Sequence, residues 1–194
     1  MASDSSPSTI SDALPLVLAE NAAMGTAIIN DSAPAVDSAI ALMSSANRVF
    51  VLGAGRSGLA LRMFAMRLMH LGLTVHVVGE VTTPAIAAGD VLFTASGSGT
   101  TAGVVRSATT AIAEGAQVIA VTTDPTSALA TIATISITIP AAQKQDHAAT
   151  LTAQYSGGLF EQAVLLLGDS MFHVMWKNSG ATAEELWPRH ANLE

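Results

Sequence analysis

Twice along this chain a short β-rich run breaks into a glycine turn and then into an apolar helix. That repetition limits the fold more than any other feature. The first copy is Arg48 to Leu52, then Gly53-Ala54-Gly55-Arg56-Ser57-Gly58 and a helix predicted over Ser57 to Leu71. The second is Val91 to Ala95, then Ser96-Gly97-Ser98-Gly99-Thr100-Thr101 and a helix from about Thr100 to Glu114. Further strands are expected at Thr74 to Val78, Gln117 to Val121 and Ile132 to Ile139, and a long helix over Leu159 to Lys177. Two helices are expected before the first strand. One is started by Ser11 and Asp12 and runs through Leu16, Ala19, Ala23 and Ala27, and the other spans about Ala33 to Ala46. Strands alternating with helices pair in parallel and need cover on both faces. The predicted fold class is therefore α/β, a three-layer αβα sandwich on a five-stranded parallel, flavodoxin-like sheet. No linker or internal period divides the 194 residues, so one domain is expected. Ala141 to Gly158 lacks a clear period, and loops of that length in compact domains tend to be functional.

Composition narrows the function. Half the residues are hydrophobic and only 12% are charged, about half the usual share, which excludes intrinsic disorder. The longest uncharged stretch, Pro125 to Gln143, is rich in Ser and Thr and holds Pro140, unlike a membrane span. Met1 to Asp12 lacks the basic and apolar regions of a signal peptide, and a cytoplasmic protein is expected. With no cysteine, disulfides, thiolate metal sites and thiol nucleophiles are all excluded. Eight Lys plus Arg against fifteen Asp plus Glu leave a net charge of −7, with no basic stripe for nucleic acid. So few charges cannot cover the surface of a small domain, so a homo-oligomer that buries part of its exterior is expected.

Gly53, Gly55 and Gly58 match G-x-G-x-x-G between a strand and a helix, and Glu80 lies where an acidic ribose ligand would be sought. Alone, this loop leaves a nicotinamide site and a plain tight turn both open. The second loop shifts the balance. Ser96, Ser98, Thr100 and Thr101 give four hydroxyls within six residues, and Gly97 and Gly99 free the amides between them to form an anion nest. Both loops leave the carboxyl ends of parallel strands and can face one crevice. That suits a small phosphorylated ligand held by amides, hydroxyls and a helix dipole without a lysine. A dinucleotide oxidoreductase would also need a substrate domain, for which 194 residues leave little room.

The two loops, Gly53-Ala54-Gly55-Arg56-Ser57 and Ser96-Gly97-Ser98-Gly99-Thr100-Thr101, resemble those of the sugar isomerase (SIS) family, whose members bind phosphosugars there. The ending Arg189-His190-Ala191-Asn192-Leu193-Glu194, with Leu159-Phe160-Glu161-Gln162 upstream, resembles the 6-phospho-3-hexuloisomerase branch of the ribulose monophosphate pathway. Many SIS loops carry Glu where Thr100 stands, so no acid is expected to act from that position. The resemblance implies conversion of D-arabino-3-hexulose 6-phosphate to D-fructose 6-phosphate through a C2–C3 enediol. It leaves another phosphosugar isomerase, or a phosphosugar-binding regulator without activity, as rival readings.

Such a reaction needs one base over the carbons and one polar partner at the oxygens. On the residues alone, Glu161 reads as an acid favouring its helix's first turn. With the resemblance it becomes the base, its apolar neighbours Leu159 and Phe160 disfavouring the charged form. The resemblance also places His190 at the active site, reaching in from a neighbouring subunit, so that residues 184–194 complete a site. Gly55, Arg56 and Ser57 are expected on the sugar or phosphate, as are Ser96, Gly97, Ser98, Gly99, Thr100 and Thr101. Thr122 and Ser127 stand where a further strand ends, and whether they touch substrate is left open by the sequence. His70, His76 and His173 read as packing or capping residues, and His147 lies in the aperiodic segment. No histidine and carboxylate cluster has metal-ligand spacing, so a cofactor-free enzyme is expected.

Overall fold

The computed structural model describes residues 9–141, 152–155 and 157–193, which leaves His147 outside the described residues. Its elements are α1 (Ile10–Ser45), β1 (Val49–Gly53), α2 (Gly55–His70), β2 (Val75–Val77), β3 (Val91–Ala95), α3 (Ala102–Ala113), β4 (Gln117–Thr122), α4 (Ala128–Ile132), β5 (Ile135–Thr138), α5 (Gly158–Ser179) and α6 (Ala183–Leu186), closed by a 3₁₀ turn over Trp187–Arg189. The five strands pair in parallel in the order β2-β1-β3-β4-β5. The predicted sandwich is therefore present. Alternate strand residues feed two cores, as a pleated strand requires. Val49, Val51, Phe93, Val121 and Ile137 pack under α1, α2 and α5, while Phe50, Leu92, Val118 and Ala120 pack under α3 and α4.

The N-terminus departs from the expectation of two helices, because α1 runs unbroken for 36 residues with Pro15 and Pro34 inside it. Proline denies a hydrogen bond to the carbonyl four residues back. For Pro34 that carbonyl belongs to Asn30, and both residues lie on the exposed side, where the freed carbonyl is open to solvent. The inward stripe of Met24, Ile28, Ser32, Val36, Ala39 and Met43 passes Pro34 without interruption. Ser32 donates to the Thr138 carbonyl at 2.9 Å and ties α1 to the sheet edge. Thr9, rather than Ser11 or Asp12, is the N-cap residue. By length and composition alone, α1 could cross a membrane, but this inward stripe packs it onto the domain.

The first glycine turn is set by contact between backbones. A Cβ on Gly58 would lie 2.4 Å from the Gly53 carbonyl oxygen, so α2 can approach the end of β1 only through glycine.

The expected polar tail is structured. Thr182 and Glu185 form a reciprocal capping box at the start of α6, and Leu186 is buried beneath it. Arg189 Nη1 then donates to the His70 carbonyl at 3.0 Å, at the last residue of α2. The His190 ring stacks on that of His70 with centroids 4.0 Å apart, and Trp187 flanks His190 at 4.7 Å.

Two outcomes are expected. Gly58→Ala should lower stability by about 1–3 kcal/mol through overpacking, read as a drop in the thermal midpoint. The second concerns pH. Burial, then the nearby His190 and Arg67, push the His70 imidazole below its ordinary value. The charged groups against it are Arg67 on its own helix and His190 and Arg189 from the tail. With the tail released, His70 binds its proton more readily, so docking stability rises with pH. The tail should therefore be fully docked above pH ~6.5 and released progressively as pH falls through the lowered value. Fluorine NMR of Trp187 in fluorotryptophan-labelled protein would follow this release, and His70→Phe should flatten it.

Candidate active site

Gly53 at the end of β1 is in register with Ala95 at the end of β3. The chain turns outward from β1 to β2 and then returns to β3, so the two glycine loops leave neighbouring strands at the switch point of the sheet, where doubly wound folds bind ligands. Gly55 adopts a positive φ of 58° with open space where a Cβ would stand, and brings the backbone round into α2. The N-caps of α2 and α3, Ala54 and Thr101, make no side-chain capping bond. Among the described residues, no N-cap side chain occupies the first-turn amides of these two helices, which stand as donors at two positive helix ends.

The hydroxyls of the second loop divide into pairs. Ser96 Oγ meets Thr101 Oγ1 at 2.9 Å, and Thr100 Oγ1 donates to Ser98 Oγ at 2.9 Å. Thr122 and Thr123 both donate to the Gly97 carbonyl, at 3.1 and 2.8 Å. Gly99 has a φ of 61°, and a Cβ there would stand 2.0 Å from Ser127 Oγ. Ser127 itself caps α4 by accepting from the Ala130 amide. Thr122 and Ser127 are buried beneath the loop and brace it from below.

The third wall is the start of α5, whose N-cap Gly157 has a φ of 77°. The Phe160 ring packs beside Gly97, so the second loop rests against this helix's first turn. Glu161 is 5% exposed and forms an ion pair with the Nε of Arg56, whose side chain is largely exposed. The structure thus brings Gly55, Arg56, Ser57 and Ser96–Thr101 together with Glu161, and Ser57 is buried in the first turn of α2. A second network fixes α5 from the far side. The Glu20 carboxylate accepts from Thr152 Oγ1, the Ala153 amide and Gln154 Nε2, and Gln154 in turn accepts from Gln162, which is bonded to Asn21. Burial opposes the charge on Glu20, but these bonds outweigh it and hold its carboxyl below the usual range. Sequence reasoning missed Glu20; its only signal was an acid on an otherwise apolar stretch of helix.

His190 is not in this crevice. It is docked at the far end of α2, and the fourteen residues from Arg56 to His70 rise by about 21 Å. His76 packs against Phe50, and His173 packs against Trp176. Glu80, where a ribose ligand was sought, is paired with Arg62 at 2.6 Å. Among the described residues no group of three or more His, Asp or Glu could hold a metal ion.

The SIS domain model matches residues 42–166. A 3-hexulose-6-phosphate isomerase of Mycobacterium gastri is 60% identical over 147 residues, covering 76% of this chain and 74% of that one. A 3-hexulose-6-phosphate isomerase of Bacillus subtilis is 40% identical, covering 77% and 82%. The crystal structure of a Methanococcus jannaschii protein, from which a 3-hexulose-6-phosphate isomerase function was inferred, superposes with a TM-score of 0.80 at 30% identity, covering 93% of this chain and 98% of that one. With the crevice formed by the same two loops that first suggested it, this chain belongs to the SIS domain family.

Proposed function

We infer that this protein is an isomerase that converts D-arabino-3-hexulose 6-phosphate to D-fructose 6-phosphate. The observation that carries the reading is Glu161, a buried carboxylate between two amide-rich loops, in a chain 60% identical to an isomerase of that name. The phosphate lies on the second loop, held by the amides and hydroxyls of Ser96 to Thr101 at the start of α3. Gly55 and Ser57 line the sugar side, and Arg56 uses the donors not engaged by Glu161 on the hydroxyls.

Glu161 removes the C2 proton of the open-chain ketose, and the C2–H electrons form the C2–C3 double bond as the C3 oxygen takes up a proton. The enediol then collapses as its C2 oxygen releases a proton. Glu161 returns the proton it holds to C3, leaving a C2 ketone and an unchanged carboxylate. These proton transfers need a base and a donor at the oxygens, and no cofactor. His190 of a neighbouring copy supplies the donor, because its own copy holds it some 20 Å from Glu161.

Self-association has a surface to use. Leu59, Met63 and Met66 lie along α2 and are 62%, 54% and 59% exposed, on the helix that carries the docked tail. Such a stripe suits an interface between copies of this chain.

Two measurements test this reading. Glu161→Gln should lose at least ~10³-fold in kcat while still binding fructose 6-phosphate, by kinetics and calorimetry. Measured turnover in the wild type excludes a regulator without activity. Co-expressed Glu161→Gln and His190→Ala chains should recover about a quarter of wild-type activity, since half of random pairs carry one intact shared site. No recovery would confine each site to a single chain.

A further inference from the structure

His70 is 6% exposed at the end of α2, and its Nδ1 has no hydrogen-bond partner among the described residues. A leucine would fill that volume without burying a polar ring, so packing does not explain a histidine there. What the ring does contact is His190, in a near-parallel stack at 4.0 Å and 23°. Arg189 fastens the same junction. Its Nη1 donates to the His70 carbonyl, and its guanidinium lies over Gly72, where a Cβ would come within 3.2 Å of Cζ. A cation on the last carbonyls of a helix also matches the negative end of its dipole.

The far side of the His190 ring meets Trp187 at 4.7 Å, and its Nδ1 lies 3.2 Å from the Trp187 carbonyl. A carbonyl only accepts, so that bond puts the Nδ1 proton on the ring and leaves Nε2 to act outward. Both faces and one nitrogen of His190 are held, yet the residue remains exposed. A fixed imidazole turned toward solvent is one presented to something else.

We propose that His70 and Arg189 are positioning residues that clamp His190, so that α2 presents its Nε2 to the active site of a neighbouring subunit. The proposal rests on the reading of His190 as a catalytic group. His70 supplies a flat ring that stays uncharged, and Arg189 pins the backbone of the tail to the helix end.

The test measures kcat and KM on the full-length assembly with 3-hexulose 6-phosphate, for His70→Leu, His70→Phe and Arg189→Ala, each alone and combined with His190→Ala. His70→Leu and Arg189→Ala should lower kcat roughly 10–100-fold by misplacing one group, with KM within about twofold. His70→Phe, which keeps a stacking ring, should restore most of kcat. In the His190→Ala background neither substitution should lower kcat further, because both act through that residue. Arg189 is exposed, so Arg189→Ala carries the test alone if His70→Leu does not fold. Wild-type kcat in Arg189→Ala, or further loss in the His190→Ala background, overturns the clamp while leaving the catalytic reading intact. A fully active His190→Ala overturns both.

Discussion

The ion pair between Arg56 and Glu161 joins the first turn of α2 to the first turn of α5. A carboxylate as buried as Glu161 is costly unless a charge or several donors meet it, and breaking such a pair leaves an uncompensated buried charge. Arg56 can meet it only because Gly55 turns the chain sharply and Gly58 lets α2 settle on Gly53. The glycines of the first loop therefore fix where the guanidinium starts. The second loop closes on the same point, since Gly97 lies under Phe160, the residue before Glu161. One cation–carboxylate contact thus depends on the ends of two strands and the starts of two helices.

What could be read in the sequence follows from the range of the forces involved. The strands and the two glycine loops were legible because alternation, positive φ and close backbone approach each restrict the residue at a named position. Gly99 shows the limit of that reading. Its place in an anion nest was visible, but Ser127, against which a side chain there would clash, comes from another loop, so the part Ser127 plays as a brace left no trace in the sequence. The joining of two predicted helices into α1 was hidden for a similar reason. A proline breaks a helix by its local cost, and only tertiary burial reveals that Asn30 and Pro34 lie on the wet side. The docking of the tail was least legible, since His70 and His190 are 120 residues apart and stacking leaves no periodic trace. Glu20 was missed likewise, because its partners Thr152 to Gln154 come from the aperiodic segment.

A sugar phosphate is an anion, which a net charge of −7 would repel at long range. The distances resolve this. At physiological salt, exposed charges are screened within about 8 Å, whereas amides and hydroxyls act at hydrogen-bond range. Neutral donors at two helix starts can therefore bind an anion inside a negative molecule without a lysine beside Glu161.

α2 then has two ends with different duties. Its N-terminal turn carries Arg56 against Glu161, and its C-terminal turn carries the platform on which His190 docks, about 21 Å away. A helix is stiff over four turns, so in the proposed shared site the spacing between Glu161 and the His190 lent to a neighbour would be set by helix length and by how copies meet. The exposed apolar residues Leu59, Met63 and Met66 lie between those ends, and the proposed association would use that part of α2. On that proposal, one element would set both association and catalytic geometry. A separate mobile tail could reach the same site, but it would have to order its backbone in every turnover, at about 1–2 kcal/mol per residue. Docking the tail on its own helix meets that cost during folding, before substrate arrives.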